Sequence, residues 1–136
     1  MKKIAFITGV TSIVLIIEWI SVAFIPFDQI EPVRYTVSGY KTWFMSFSIP
    51  DQWIVFWCIL GFLAAIKNKN SAIPFSMIAG SSMIFLGLIT INFYAQNNML
   101  LDLNIYQLFE NMSCLWLLIT GSFLIYTGIS KFEIKK

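Results

Sequence analysis

The stretch that decides the fold is AIPFSMIAGSSMIFLGLITINFYAQNNMLL, residues 72–101, which contains no charged side chain. A helix that crosses the bilayer needs about 20 mainly apolar residues. Residues 111–130, NMSCLWLLITGSFLIYTGIS, are also uncharged and reach that length. These two stretches predict membrane-spanning helices over residues 73–95 and 105–129.

Two weaker segments complete the predicted bundle. Residues 4–27 are long enough to span but contain Glu18, and a signal peptide is the alternative because Lys2 and Lys3 precede the apolar run. Residues 50–66 are short, so a buried or re-entrant helix is the alternative. With four spans, every lysine except Lys41 falls on one side, as the positive-inside rule requires of the cytoplasmic face. The sequence therefore predicts an all-α integral membrane protein, a four-transmembrane-helix bundle whose termini are both cytoplasmic.

Composition limits the class of protein further. Apolar residues make up 58% and charged residues 12% of the 136 residues, whereas soluble domains average about 25% charged residues. Without histidine, the chain has no His-ligated metal site and no histidine general base. Cys58 and Cys114 form no C-x-x-C motif and are interpreted as small buried apolar residues. We expect one domain over residues 1–136, no cofactor, no metal and no nucleic-acid partner, in a bacterial cytoplasmic membrane.

The only sizeable polar segment is the outer loop, residues 28–48. Residues 33–37 and 40–44 are β-branched and aromatic and flank Ser38-Gly39, a pattern that predicts a short extracytoplasmic β-hairpin. Ser48-Ile49-Pro50-Asp51 is typical of a helix start with a capping box. The hairpin is either a lid packed on the bundle or a recognition surface. Its anchor-type aromatic residues are Tyr35, Tyr40, Trp43 and Phe44.

Two carboxylates, Glu18 and Glu110, lie inside the predicted spans. Ionisable groups are costly in lipid and mark candidate functional sites. A rise of roughly 1.5 Å per residue puts them about 13 Å and 8 Å below the outer helix ends. Helical spacing groups each with small or polar residues, such as Thr11 with Glu18 and Gly121 with Glu110. We therefore expect both carboxylates around one cavity that opens outward beneath the loop.

The predicted ligand site consists of acidic, amide and basic residues near the outer face. Two carboxylates in low-dielectric surroundings do not both ionise readily unless a cation compensates, and Arg34 and Lys41 are the basic residues on that side. A structural role is the alternative, and Glu110 alone also fits a wetted first helical turn. The candidate ligand-binding residues are Glu18, Glu110, Asn111, Asn92 and Arg34.

Three functions remain open from the sequence. The first is an accessory or assembly protein that contacts a membrane-protein partner or a second copy through its outer hairpin and bundle surface. The second is a protein that binds or transports a small cationic or lipidic ligand in an acidic cavity. The third is an intramembrane lipid isomerase that uses Glu18 and Glu110 as an acid–base pair. No nucleophile–base pair or phosphate-binding loop supports catalysis, so a non-enzymatic role is favoured.

Overall fold

The computed structural model describes residues 1–26, 29, 38–102 and 104–133, except for the side chains of residues 132 and 133. Its helices are α1 (Lys2–Phe24), α2 (Tyr40–Met45), α3 (Ser48–Ile66), α4 (Ala72–Gln96) and α5 (Ile105–Glu133). Four helical segments in these residues are long and apolar enough to cross a membrane, and α2 and α3 together form one of them. The all-helical, multi-pass architecture predicted from the sequence is confirmed.

The helix bounds differ from the predicted ones where a proline or a polar tail intervenes. Helix α1 ends at Phe24 rather than at residue 27, because Ile25 precedes Pro26 and adopts an extended conformation with φ −110° and ψ 134°. Helix α5 continues past residue 129 to Glu133 and carries Lys131 in its last turn. The bounds of α3 and α4 lie within two residues of the prediction.

The predicted β-hairpin is wrong in its second strand. Residues 40–44 belong to helix α2, and the residues that the structure describes contain no strand. Tyr40 and Phe44 are buried and half-buried Phe47 follows, so the apolar residues recur at helical spacing rather than in alternation. Gly39 precedes the helix in the left-handed region with φ 77°. The predicted first strand, residues 33–37, and with it Arg34 and Tyr35, lies outside the described residues.

The four long helices pack as a row in chain order: α1 on α3, α3 on α4, and α4 on α5. The tightest pair is α4 with α5, where a Cβ added to Gly80 would lie 2.7 Å from the backbone oxygen of Gly121, and the converse also holds. Gly128 likewise lies directly against Met77. Small residues allow helices to approach this closely in lipid. By contrast, α1 and α5 approach each other little.

The two ends of the bundle have different cores. At one end, Ile4 of α1, Ala64 of α3 and Ala72 of α4 belong to an apolar cluster, and Lys131 Nζ lies 4.0 Å from Met1 Sδ. At the other end, Tyr40, Tyr94 and Cys114 belong to a second cluster under α2. The first end carries Lys2, Lys3, Lys67, Lys69 and Lys131, which lie at or beside helix ends. The second end contains the candidate site.

Candidate functional site

A cavity of about 950 Å³ lies between α1 and α5 beneath α2. It extends along α1 from Val10 to Ser21, a length of about 16 Å at the helical rise. Most of its wall is apolar. Ile17 of α1 and Phe109 and Met112 of α5 line the cavity and are exposed. The cavity therefore opens sideways, between α1 and α5, onto the surface that faces lipid in a membrane.

Three carboxylates from three helices line this cavity: Glu18 of α1, Asp51 of α3 and Glu110 of α5. Glu18 and Glu110 are partly buried, whereas Asp51 is only 5% exposed. The structure thus brings together the two acidic residues singled out from the sequence and adds a third. Their number is unusual for a membrane interior, where each charge is costly.

Asp51 is the residue that sequence reasoning missed. Trp19 Nε1 of α1 donates a hydrogen bond of 2.9 Å to Asp51 Oδ2. Its other oxygen, Oδ1, is buried and accepts no hydrogen bond from any residue that the structure describes. Trp19 directly follows Glu18 in the sequence, and this pair of residues was the available signal that α1 supplies polar contacts here.

The capping box predicted at the start of α3 is wrong for a structural reason. Helix α2 runs almost directly into α3, so Ser48 already lies in the first turn of α3. Asp51 N donates to Phe47 O at 2.9 Å, a backbone bond that belongs to the helix itself. The Asp51 side chain is consequently not used at the helix start and turns toward α1.

Glu110 is held by a tyrosine. Tyr94 Oη of α4 donates a hydrogen bond of 3.0 Å to Glu110 Oε2, and Tyr94 is 1% exposed. The packing of α4 on α5 turns the Tyr94 side chain inward. Glu110 is thus an anchored wall residue rather than a freely wetted side chain of the first turn.

A third hydrogen bond between helices crosses the inner end of the cavity. Trp116 Nε1 of α5 donates a hydrogen bond of 3.0 Å to Thr11 Oγ1 of α1, and both residues line the cavity. Thr11 is buried and also belongs to the face of α1 that was predicted to turn inward. This bond joins the two helices that otherwise approach each other little.

The predicted amide ligands lie elsewhere. Asn92 is exposed on α4 and does not line the cavity. Asn111 of α5 binds the α4–α5 connection, because its Nδ2 donates a hydrogen bond of 3.1 Å to Leu100 O. Its Oδ1 accepts a hydrogen bond of 3.0 Å from Gln107 Nε2 in the same helix. Asn111 therefore has a structural partner on both ends of its amide.

The aromatic residues of α2 form the roof of the site. Trp43, Phe44 and Phe47 line the cavity, and the ring of Trp43 stacks on Phe93 with centroids 3.8 Å apart. Tyr40 and Phe44 are buried, so these members of the predicted interaction surface point into the protein. The segment is a packed lid in this respect, which was one of the two interpretations of the outer loop.

Within the described part of the chain, no three His, Cys, Asp or Glu side chains are grouped so that they could hold a metal ion. The carboxylates of Glu18, Asp51 and Glu110 line the same cavity without forming such a group. No protein-family model, curated protein or solved structure matches this chain.

Proposed function

We propose that this chain binds a small amphiphilic cation in the cavity between α1 and α5. The observation that carries the proposal is the combination, in one cavity of about 950 Å³, of a largely apolar wall with the carboxylates of Glu18, Asp51 and Glu110. An apolar tail gains free energy by leaving water or the headgroup region for such a wall. A cationic head is attracted to the carboxylates on that wall.

The size and direction of the cavity support a ligand that arrives from the bilayer. Ligand pockets usually have volumes of about 300–1,000 Å³ and a few polar groups on an otherwise apolar wall. The opening beside Ile17 and Phe109 faces the lipid surface of the bundle. An amphiphile already partitioned into the membrane could enter there without crossing an aqueous loop.

We also propose an orientation. The helix ends that carry Lys2, Lys3, Lys67, Lys69 and Lys131 face the cytoplasm, in keeping with the positive-inside rule. The cavity then lies in the outer half of the membrane, which we propose to be a bacterial cytoplasmic membrane. The bond between Thr11 and Trp116 closes the inner end of the cavity, so the geometry favours binding, and transport would require this bond to open.

The test uses the full chain in phosphatidylcholine nanodiscs, titrated with octylammonium by calorimetry, with the signal of empty nanodiscs subtracted. We expect saturable binding, and we expect octanol to bind roughly tenfold more weakly because it lacks the charge. The combined variant Glu18→Gln, Asp51→Asn and Glu110→Gln should lose the preference for octylammonium over octanol.

The control is Asp102→Asn, which removes one negative charge from an exposed position outside the cavity. It should bind octylammonium as the natural chain does. If octylammonium binds to loaded and empty nanodiscs alike, or if the combined variant retains the full preference for the cation, the proposed function is wrong.

An accessory or assembly role stays a prediction that no contact tests. It would use the outer surface, where Trp43 is partly exposed, and would involve a membrane-protein partner or a second copy. Because Tyr40 and Phe44 pack inward, the aromatic residues of the loop give this alternative less support than the cavity gives to ligand binding.

A further inference from the structure

We propose that Asp51 makes the cavity selective for cations that carry an N–H donor, so that protonated amines bind and quaternary ammonium ions of the same tail are disfavoured. This inference rests on the proposed function and names the class of ligand. It begins with Asp51, which lines the cavity and whose oxygen Oδ1 is buried without a hydrogen bond from the described residues.

A buried acceptor without a hydrogen bond is energetically expensive. Leaving such a group unsatisfied destabilises the folded protein, and more so when the group is charged. Asp51 is 5% exposed, and its Oδ1 accepts no hydrogen bond from the residues that the structure describes. A ligand that donates a hydrogen bond to Oδ1 would recover this cost on binding. A ligand that supplies positive charge without a donor would recover only part of it.

Trp19 fixes the carboxylate for this purpose. Its indole N–H occupies Oδ2 at 2.9 Å, and the Trp19 ring packs against Phe44 with centroids 5.7 Å apart. The carboxylate is therefore held on one side by a rigid donor, which leaves Oδ1 for the ligand. Trp19 is a positioning residue in this arrangement, because it acts on the ligand through Asp51.

The aromatic residues of the cavity would give the opposite preference if they dominated. Trp43, Phe44 and Phe47 line the roof, and aromatic rings bind quaternary ammonium groups through cation–π attraction. Two forms of recognition thus predict two orders of affinity. Hydrogen bonding to Asp51 predicts that protonated amines bind more tightly, whereas an aromatic cage predicts that quaternary ions do.

The experiment compares three probes with the same octyl tail on the natural chain in phosphatidylcholine nanodiscs: octylammonium, dimethyloctylammonium and trimethyloctylammonium. The last two differ in one methyl group in place of one N–H hydrogen, so their comparison separates the donor from the bulk of the head. We expect the two protonated amines to bind alike and the quaternary ion roughly tenfold more weakly.

A second measurement locates the contact. The indole N–H signal of Trp19 in a nitrogen-15 spectrum, assigned by its loss in Trp19→Phe, should shift when dimethyloctylammonium binds and shift less with trimethyloctylammonium. In Asp51→Asn, which keeps an acceptor for Trp19, the difference in affinity between these two probes should shrink to less than about twofold. Asp102→Asn should retain it.

The outcomes separate the two proposals. If all three cations bind saturably with equal affinity, or if the quaternary ion binds most tightly, selection by Asp51 is wrong while cation binding stands. If dimethyloctylammonium behaves like the quaternary ion, bulk and not hydrogen bonding decides, and the inference is also wrong. If none of the probes binds above empty nanodiscs, the proposed function itself fails.

Discussion

Helix α5 contacts its two neighbours in opposite ways. Against α4 it packs so closely at Gly80 and Gly121 that a Cβ atom added to either residue would meet the backbone oxygen of the other. We call this contact the glycine seam. Between α5 and α1 lies a gap, which is the cavity, and the hydrogen bond between Trp116 and Thr11 crosses it. Helix α5 therefore packs tightly against α4 with one face and lines the candidate site with another.

The difference follows from the physics of association in lipid. Helices in a bilayer gain little from hydrophobic burial against one another, and their association depends on close packing and on hydrogen bonds. Glycines at the α4–α5 seam permit that packing. Between α1 and α5, by contrast, large and polar residues such as Glu18, Phe109 and Glu110 line the cavity. We expect stability to depend on the seam and binding to depend on the gap.

The largest effect is expected from Gly80→Val. A side chain at this position meets the backbone of Gly121, which cannot move aside as a flexible side chain could. Overpacking of this kind costs about 3 kcal/mol, and separation of α4 from α5 should also remove Tyr94 from Glu110. Unfolding of the purified variant in detergent, followed by circular dichroism, measures the loss.

The neighbouring substitution Ser81→Val is the control, because Ser81 is exposed on the same helix. It should change the free energy of unfolding by less than about 0.5 kcal/mol. Equal destabilisation by the two substitutions would mean that the glycine seam has no special importance.

The second prediction concerns the opening of the gap. Ile17→Trp adds bulk to an exposed residue at the mouth of the cavity. We expect it to weaken octylammonium binding roughly tenfold, or about 1.4 kcal/mol, with little change in stability. Calorimetry in nanodiscs gives the affinity.

Ile13 lies one turn away on α1, is equally exposed, and does not line the cavity. Ile13→Trp should therefore bind octylammonium normally. Equal affinities of octylammonium for Ile17→Trp and Ile13→Trp would show that the bound ligand does not reach the part of the cavity that Ile17 lines.

The smallest effect is expected from the bond that joins the two sides of the gap. Thr11→Val keeps the shape of the side chain but removes the acceptor for Trp116 Nε1. Hydrogen bonds between membrane helices contribute about 0.6 kcal/mol on average, and Thr11→Val should lower the free energy of unfolding by about that amount. A double-mutant cycle with Trp116→Phe isolates the pair. Additive effects would show that the bond contributes nothing.

Much of the fold was predictable because its determinants are local. The uncharged stretches predicted α4 and α5, and the placement of the lysines predicted the number of spans. Helical spacing grouped Gly121 with Glu110, and the structure packs Gly121 against Gly80. The end of α1 was also predictable in retrospect, because Pro26 prevents residue 25 from continuing the helix. The strand prediction for residues 40–44 is wrong because the composition of this segment is typical of a strand, whereas its buried residues Tyr40 and Phe44 recur at helical spacing.

The candidate site was less predictable, because it depends on contacts between distant segments. Glu18 and Glu110 stand out in any apolar stretch, and the structure does bring them to one cavity. Asp51 could not be separated from an ordinary helix-start residue, since its partner Trp19 lies on another helix. Asn92 and Asn111 lie at the depth of the site along their helices, but neither residue lines the cavity. The sequence alone does not give the direction in which a helix turns each side chain.

The glycine seam also constrains how this chain can change over generations. An added Cβ at either Gly80 or Gly121 lies against the carbonyl oxygen of the other residue, so neither substitution makes the other tolerable. Sequence drift should therefore pass freely through Ser81 and the lipid-facing positions of α4 while both glycines are retained as a pair. In descendants that lose one of these glycines, we expect α4 and α5 to cross at a different angle. The cavity on the far side of α5 should then have a different shape.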